Sequence, residues 1–369
     1  MPNDLNQPDT QGIGVLTQNA NGLVTIIMPA YEARPYIQEA LDGIARQDYP
    51  HWELVIVEDA STDSIRDIVE DFSKRLPHNR ILFKRQSENR GASATRNAAM
   101  QLARGEFIAF LDADDLWQPN HLSSKLNLLK KAGADIAYGP VEMFDNQSRQ
   151  KILWWGPDSL EQAHFPESLF VRNYIQPSAT VMRREVCDDI GCFDEQIFLV
   201  EDIEYWLRAL SRGKVFAYDP LTTTGYRKNH ASASTTGRLI LCYDGLARVG
   251  LQYQHLIKSA SFRNYLLARQ LVTAGLGHLG FRRTEHNQCD AVVGYRWLLE
   301  ASKLGPTQWS SPLYLRLAQF AISSGAHPLF RKAFRMRFKS ISRQEVAYDL
   351  HRPDPCMLED IDHPSRIAA

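Results

Sequence analysis

Phe107-Ile108-Ala109-Phe110-Leu111-Asp112-Ala113-Asp114-Asp115 is the stretch that decides the fold. A short apolar run of this kind reads as a strand buried on both faces. Here it runs straight into carboxylates. The same pattern repeats upstream: Val24-Thr25-Ile26-Ile27-Met28, stopped by Pro29, then Leu54-Val55-Ile56-Val57, then Ile81-Leu82-Phe83. Between these runs, Ile37, Leu41 and Ile44 stand at helical spacing, as do Ile65, Ile68, Val69 and Phe72. The alanine-rich stretch Ala92–Ala103 ends at Gly105, a helix with its stop signal. Such alternation predicts an α/β domain with a mostly parallel central sheet flanked by helices. Ligands of such sheets sit at the carboxyl ends of the strands. The polar residues fall at those ends: Tyr31 and Glu32 after the first strand, Glu58 and Asp59 after the second, Asp112, Asp114 and Asp115 after the fourth.

Further along, Leu122, Leu126 and Leu129 predict a helix ending near Gly133. Ala179 to Arg183 and Val215 to Tyr218 read as strands, and Ile203 to Arg212 as a helix closed by Gly213. After Gly237 the chain turns leucine- and alanine-rich with helical spacing. The expected organisation is a loose tail over 1–22, an α/β domain over 23–236 and a mainly helical C-terminal region over 237–369. A net charge of -1 gives no global attraction to nucleic acid. The five cysteines form no CxxC pair, and together with the polar N-terminus they read as reduced thiols of a cytoplasmic protein.

The strand-end acids carry the chemistry. Asp112 and Asp114 suit a hard divalent cation, Mn²⁺ or Mg²⁺. A solvated turn capping the next helix is the alternative, and the acids at the other strand ends weigh against it. Asp59 reads as an acceptor for a nucleobase imide, since Ser61, Thr62 and Asp63 already offer oxygens to cap the following helix. Tyr31 reads equally as a stacking partner for the base and as a boundary aromatic. Gly91 opens a helix whose second turn holds Arg96. That pairing suits a diphosphate, or else Arg96 braces Asp59 or Asp112. Glu201 and Asp202 precede an amphipathic helix, either as favourable charges at its N-terminus or with Asp202 facing a cleft as a proton acceptor. In Tyr226-Arg227-Lys228-Asn229-His230, the histidine reads equally as a metal or diphosphate ligand and as a surface residue, and Arg227 as a phosphate contact.

Three blocks, Ile26 to Tyr31, Val55 to Asp63, and Gly91 to Asn97 leading into Asp112-Ala113-Asp114-Asp115, together resemble family 2 glycosyltransferases of the GT-A fold. The resemblance runs from Val24 to Ser234. It implies an inverting transfer of sugar from a UDP- or dTDP-sugar to a sugar or lipid-linked acceptor hydroxyl, in cell-surface polysaccharide or glycoconjugate synthesis. It implies a nucleotide-sugar site made of Pro29, Ala30, Tyr31, Glu32, Asp59, Arg96 and Asp112. Asp114 and His230 would face the metal, Asp202 would be the general base, and Glu201 and Trp206 would stand on the acceptor side. The chain departs from the family at Glu32, where asparagine is frequent, at Ala60, where glycine is usual, and at Glu58, the first member of the usual acidic pair. A sugar-nucleotide nucleotidyltransferase is a rival reading, but it expects a glycine-rich basic loop where Pro29-Ala30-Tyr31-Glu32 stands. A non-catalytic nucleotide-sugar-binding protein is the other, and Asp112, Asp114 and Asp202 together weigh against it. In the C-terminal region, Phe330, Phe334 and Phe338 lie at four-residue spacing among Arg331, Lys332, Arg335, Arg337 and Lys339. Segment 327–343 thus reads either as a basic helix on the inner face of the plasma membrane or as a helix packed on the catalytic domain.

Overall fold

The apolar runs assemble as the strands of one sheet. A computed structural model describes residues 20–228, 239–278 and 291–304. His230, segment 327–343 and most of the N-terminal tail lie outside the described residues. The first half alternates β1 (Ala20–Ala30), α1 (Ile37–Ala45), β2 (Trp52–Glu58), α2 (Arg66–Arg75), β3 (Ile81–Arg85), α3 (Gly91–Met100) and β4 (Gly105–Phe110). Then come β5 (Leu116–Trp117), α4 (His121–Ala132), β6 (Ile136–Tyr138), β7 (Val141–Asp145), β8 (Lys151–Trp155) and α5 (Ser159–Ala163). They are followed by β9 (Thr180–Arg183), α6 (Arg184–Ile190), α7 (Glu201–Ser211), β10 (Phe216–Tyr218) and β11 (Thr224–Lys228). Helices α8 (Leu239–Tyr253), α9 (Ala260–His278) and α10 (Ala291–Ser302) complete the described chain. β1 begins at Ala20, inside the segment read as tail.

The main sheet has seven strands in the order β10-β6-β9-β4-β1-β2-β3. All neighbours are parallel except β9, which runs antiparallel to both β4 and β6. Every residue of β2 is buried, as a central strand covered on both faces requires. One core lies on each side: Ile26, Met28, Leu54 and Ile56 pack with α1 and α2, while Ile27, Val55, Val57 and Phe110 pack with α3 and α7. A second sheet, β5-β11-β7-β8, stands beside the first and was not visible in the sequence.

Helices α8 and α9 continue the core on the α3 side. Val249, Tyr253, Ile257, Phe262 and Leu266 belong to the same apolar cluster as Ile27 and Phe110. The Tyr253 hydroxyl donates to Glu204 Oε1 at 2.6 Å, tying α8 to α7. A smaller cluster, with Ile240, Leu271 and Leu298, joins α8, α9 and α10.

Candidate active site

Because β4, β1 and β2 are adjacent and parallel, their carboxyl ends lie side by side. Ala30 of β1 is level with Glu58 of β2, and Ile27 with Phe110 of β4. The residues that follow these ends are therefore close in space although far apart in sequence.

The two acids at the end of β2 cap two helices. Glu58 Oε1 accepts from the backbone N–H of Ile65 at 3.0 Å, at the start of α2. Asp59 accepts from the backbone N–H groups of Arg90 and Gly91, each at 2.8 Å, at the start of α3. Gln86 Nε2 adds a third donor to Asp59 at 3.0 Å. This corrects the expected capping of α2 by Ser61, Thr62 and Asp63. Those side chains instead hold the turn after β1: Ser61 Oγ accepts from Glu32 N at 3.0 Å and Asp63 Oδ2 from Arg34 N at 2.9 Å. The Thr62 N–H and hydroxyl both donate to Glu32 Oε1 at 2.9 Å. Asp59 is thus not free of capping work. A carboxylate has about four lone-pair sites, so the three donors leave Asp59 one for a nucleobase N–H.

Two departures from the family find a backbone explanation. Glu32 has φ of 48° and Ala60 has φ of 54°. In this left-handed region glycine is unstrained and asparagine tolerable, whereas other side chains cost about 1–2 kcal/mol. The bonds from Thr62 to its carboxylate offset the strain at Glu32. Ala60 has no side-chain hydrogen bond to do the same. Ala60→Gly is therefore expected to stabilise the protein by about 0.5–1 kcal/mol, read as a higher midpoint in urea unfolding. No gain would mean that the strain relieved at Ala60 does not exceed the unfolded-chain entropy that glycine adds.

Arg96 sits between the acids of β4 and α7. Its Nη2 donates to both Asp112 oxygens, at 2.9 and 3.1 Å, and its Nη1 to Glu201 Oε1 at 3.3 Å. The side chain is buried, with Nε unpartnered, and the guanidinium lies 5.7 Å from the Phe193 ring centroid. Burial lowers its pKa, but the Asp112 and Glu201 carboxylates, with Asp202 beyond them, more than reverse this. Of the two roles open in the sequence, this geometry favours the brace. The Asp112 N–H is held in turn by Ser178 Oγ at 3.0 Å.

Asp202, half-buried in the first turn of α7, has its carboxyl pushed up to about 7. Burial is the main cause and the neighbouring Glu201 carboxylate the second. The Ile203 N–H, Arg96 and Asn173 pull the other way. A pKa near neutrality suits a group that must collect a proton there.

Tyr226 lies on β11. Burial raises its phenol, and so do the Asp115, Asp114, Asp112 and Asp202 carboxylates, so this hydroxyl lies in the field of acids from both β4 and α7. Asp115 is buried; it accepts from Arg227 N at 3.1 Å through Oδ1, and its Oδ2 has no partner.

Two expected contacts fall elsewhere. Trp206, placed on the acceptor side by the resemblance, is 0% exposed and donates from Nε1 to Ile175 O at 2.9 Å. It packs in the core because it shares the inward face of α7 with Ile203. Arg227 is buried and does not offer itself to phosphate: Nε donates to Asp114 O at 2.8 Å and Nη1 to Asn146 Oδ1 at 2.7 Å. Its guanidinium lies 4.9 Å from the Phe144 ring centroid, so it staples β11 to the acidic turn. Pro29 and Ala30 end β1, and Tyr31 follows them 56% exposed, open to a flat ligand. Two contributors escaped the sequence reading, Tyr226 as a site residue and Asn173, whose Nδ2 donates to Asp202 Oδ2 at 2.7 Å.

The model of glycosyl transferase family 2 matches residues 25–191. A putative teichuronic acid biosynthesis glycosyltransferase of Bacillus subtilis, TuaG, is 33% identical over 202 residues, 53% of this chain and 75% of its own length. The chain belongs to glycosyl transferase family 2. Another family relative is WfgD of Escherichia coli, a UDP-Glc:alpha-D-GlcNAc-diphosphoundecaprenol beta-1,3-glucosyltransferase. It is 37% identical over 126 residues, which is 34% of this chain and 48% of that protein. The chain thus matches about half the length of that relative. Among solved structures, residues 1–349 of TarS from S. aureus in complex with UDP-GlcNAc align with a TM-score of 0.60 at 18% identity. That alignment covers 86% of this chain and 91% of TarS 1–349, so the shared GT-A-type architecture extends past the family-model match into the helical region.

Proposed function

We propose that this family 2 glycosyltransferase works by metal-assisted inversion, moving a hexose from a UDP-sugar to a hydroxyl of a lipid-diphosphate-linked sugar in cell-surface polysaccharide assembly. The observation that carries the reading is the gathering of the β4 and α7 acids around Arg96, which bonds Asp112 on one side and Glu201 on the other. Asp202 accepts the proton of the acceptor hydroxyl as its oxygen attacks the anomeric carbon opposite the leaving diphosphate. Tyr31 stacks on the base, and Asp59 takes the base N–H on its remaining lone pair. UDP as the carrier, and a lipid-linked acceptor, are supported by what WfgD is named for and by what TarS binds.

Among the described residues, no three His, Cys, Asp or Glu side chains gather to hold a metal unaided. A hard cation can take one or two carboxylates and complete its shell with phosphate oxygens and water. Asp114 is the proposed direct ligand, with Asp112, held by Arg96, beside it. When bound, Mn²⁺ or Mg²⁺ supplies charge against the departing diphosphate. His230, beyond the described residues, stays a candidate second ligand. Among the described residues no helix is long and apolar enough to cross a membrane. Contact with the inner face of the plasma membrane through 327–343 is proposed from the sequence pattern alone.

The test is release of UDP from UDP-glucose or UDP-GlcNAc with Mn²⁺ and a polyprenyl-diphosphate-linked GlcNAc acceptor. Release should require both metal and acceptor. Formation of pyrophosphate from UTP and a sugar phosphate would instead reveal a nucleotidyltransferase. Asp114→Ala should weaken Mn²⁺-dependent UDP binding more than roughly 10-fold, since even an outer-shell loss costs that much. An unchanged calorimetric titration would remove Asp114 from the metal site.

A further inference from the structure

The segment between α5 and β9 carries no acid, histidine or glycine signal near Asn173, yet it reaches the centre of the site. Two buried indoles bolt its backbone. Trp155 Nε1 donates to Asn173 O at 2.9 Å, and Trp206 Nε1 donates to Ile175 O at 2.9 Å. On one side, Arg172 is paired with the buried Glu161; on the other, the buried Tyr174 hydroxyl meets Ser168 Oγ at 2.7 Å. Within this fixed segment the Ile175 N–H donates to Asn173 Oδ1 at 3.1 Å. That bond decides the amide's orientation: an N–H can face only the oxygen, so the NH₂ end is the one presented to Asp202. The contact is 2.7 Å, in the charge-assisted range. The other Asp202 oxygen accepts from Ile203 N at 2.7 Å.

We propose that Asn173 is a positioning residue for the general base, fixing the Asp202 carboxylate through a donor that Trp155 and Trp206 aim. The inference rests on the reading of Asp202 as the base. An amide donor favours the ionised form and fixes which lone pair faces the acceptor hydroxyl. It works against Glu201 beside it on α7 and alongside Arg96 from α3. Tyr226 from β11 and Cys242 from α8 also face Asp202, and both are kept protonated by burial and by that carboxylate. The role gives Trp206 a place in the site without contact with the acceptor.

The test is the pH profile of kcat/KM for the acceptor in Asn173→Asp. The aspartate keeps an oxygen for the Ile175 N–H but turns a second oxygen, in place of the donor, toward Asp202. The acidic limb should move up by about one pH unit, so that turnover at neutral pH falls roughly fivefold, while UDP affinity stays unchanged. Asn173→Ser, whose short hydroxyl still accepts from Ile175 N but cannot reach Asp202, should move the limb in the same direction and serves if the aspartate variant does not fold. A limb at the wild-type position in the folded variant overturns the proposal. Asp202→Asn run in parallel separates the two readings. If it retains turnover, the base assignment itself fails; if it is inactive while the position-173 variants keep the wild-type limb, only the role of Asn173 fails.

Discussion

Asp202→Asn lowers kcat on the order of 10³-fold, the range for removing a positioned general base, and leaves UDP affinity in the presence of Mn²⁺ within about twofold. The substitution is isosteric and leaves the β4 acids, Arg96 and the base pocket untouched, so the loss belongs to proton removal. Wild-type kcat/KM should rise with pH up to about 7, where Asp202 ionises. The same shift has a consequence for stability. A carboxyl whose folded pKa lies above its unfolded value stabilises the fold while protonated, and that contribution is lost as pH rises through the folded pKa. Wild type should therefore lose melting temperature relative to Asp202→Asn from about pH 4 to about 7 and hold a constant difference above it. Single-turnover kinetics and a series of melts over that range check both. Wild-type turnover in the variant would remove Asp202 from the chemistry.

Arg96→Ala has the largest structural effect. The guanidinium is the buried cation that joins Asp112 to Glu201, with Asp202 also in its field. Removing one partner of a buried charge network costs about 3–5 kcal/mol, because the other charges stay behind uncompensated. The melting temperature should drop on the order of 10 °C. The pKa of Asp202 should climb, since Arg96 is one of the groups holding it down. Arg96→Lys should recover only part of the loss, as an ammonium lacks the fork that spans two carboxylates. A variant with wild-type melting and pH profile would show that the acids do not depend on the brace.

The sheet was legible because its central strands are buried on both faces, which forces unbroken apolar runs such as Leu54–Val57 and Phe107–Leu111. Parallel connection places the acids after those runs at one edge, so the strand-end positions of Asp59, Asp112 and Asp114 are legible without coordinates. The second sheet escaped because β5 is two residues long and β11, which joins it to β7, is distant in sequence from both. The resemblance puts Trp206 on the acceptor side, whereas helical spacing from Ile203 turns it inward, where it is buried. Ser61, Thr62 and Asp63 are good caps by composition, but the turn at Glu32 claims two of them and Thr62 as a donor. Asn173 gave no signal at all, because its role depends on two indoles from distant elements.

The central claim is that carboxylates from β4 and α7 meet at one place fit for a cation and a diphosphate beside a proton acceptor. Anomalous diffraction at the manganese edge, from crystals grown with Mn²⁺ and UDP, tests it most directly. The account predicts one strong peak beside the Asp114 carboxylate, in contact with UDP oxygens and on the same side of the sheet as Asp202. A UDP-bound crystal with no peak there, or with its manganese held away from the β4 acids, would contradict it.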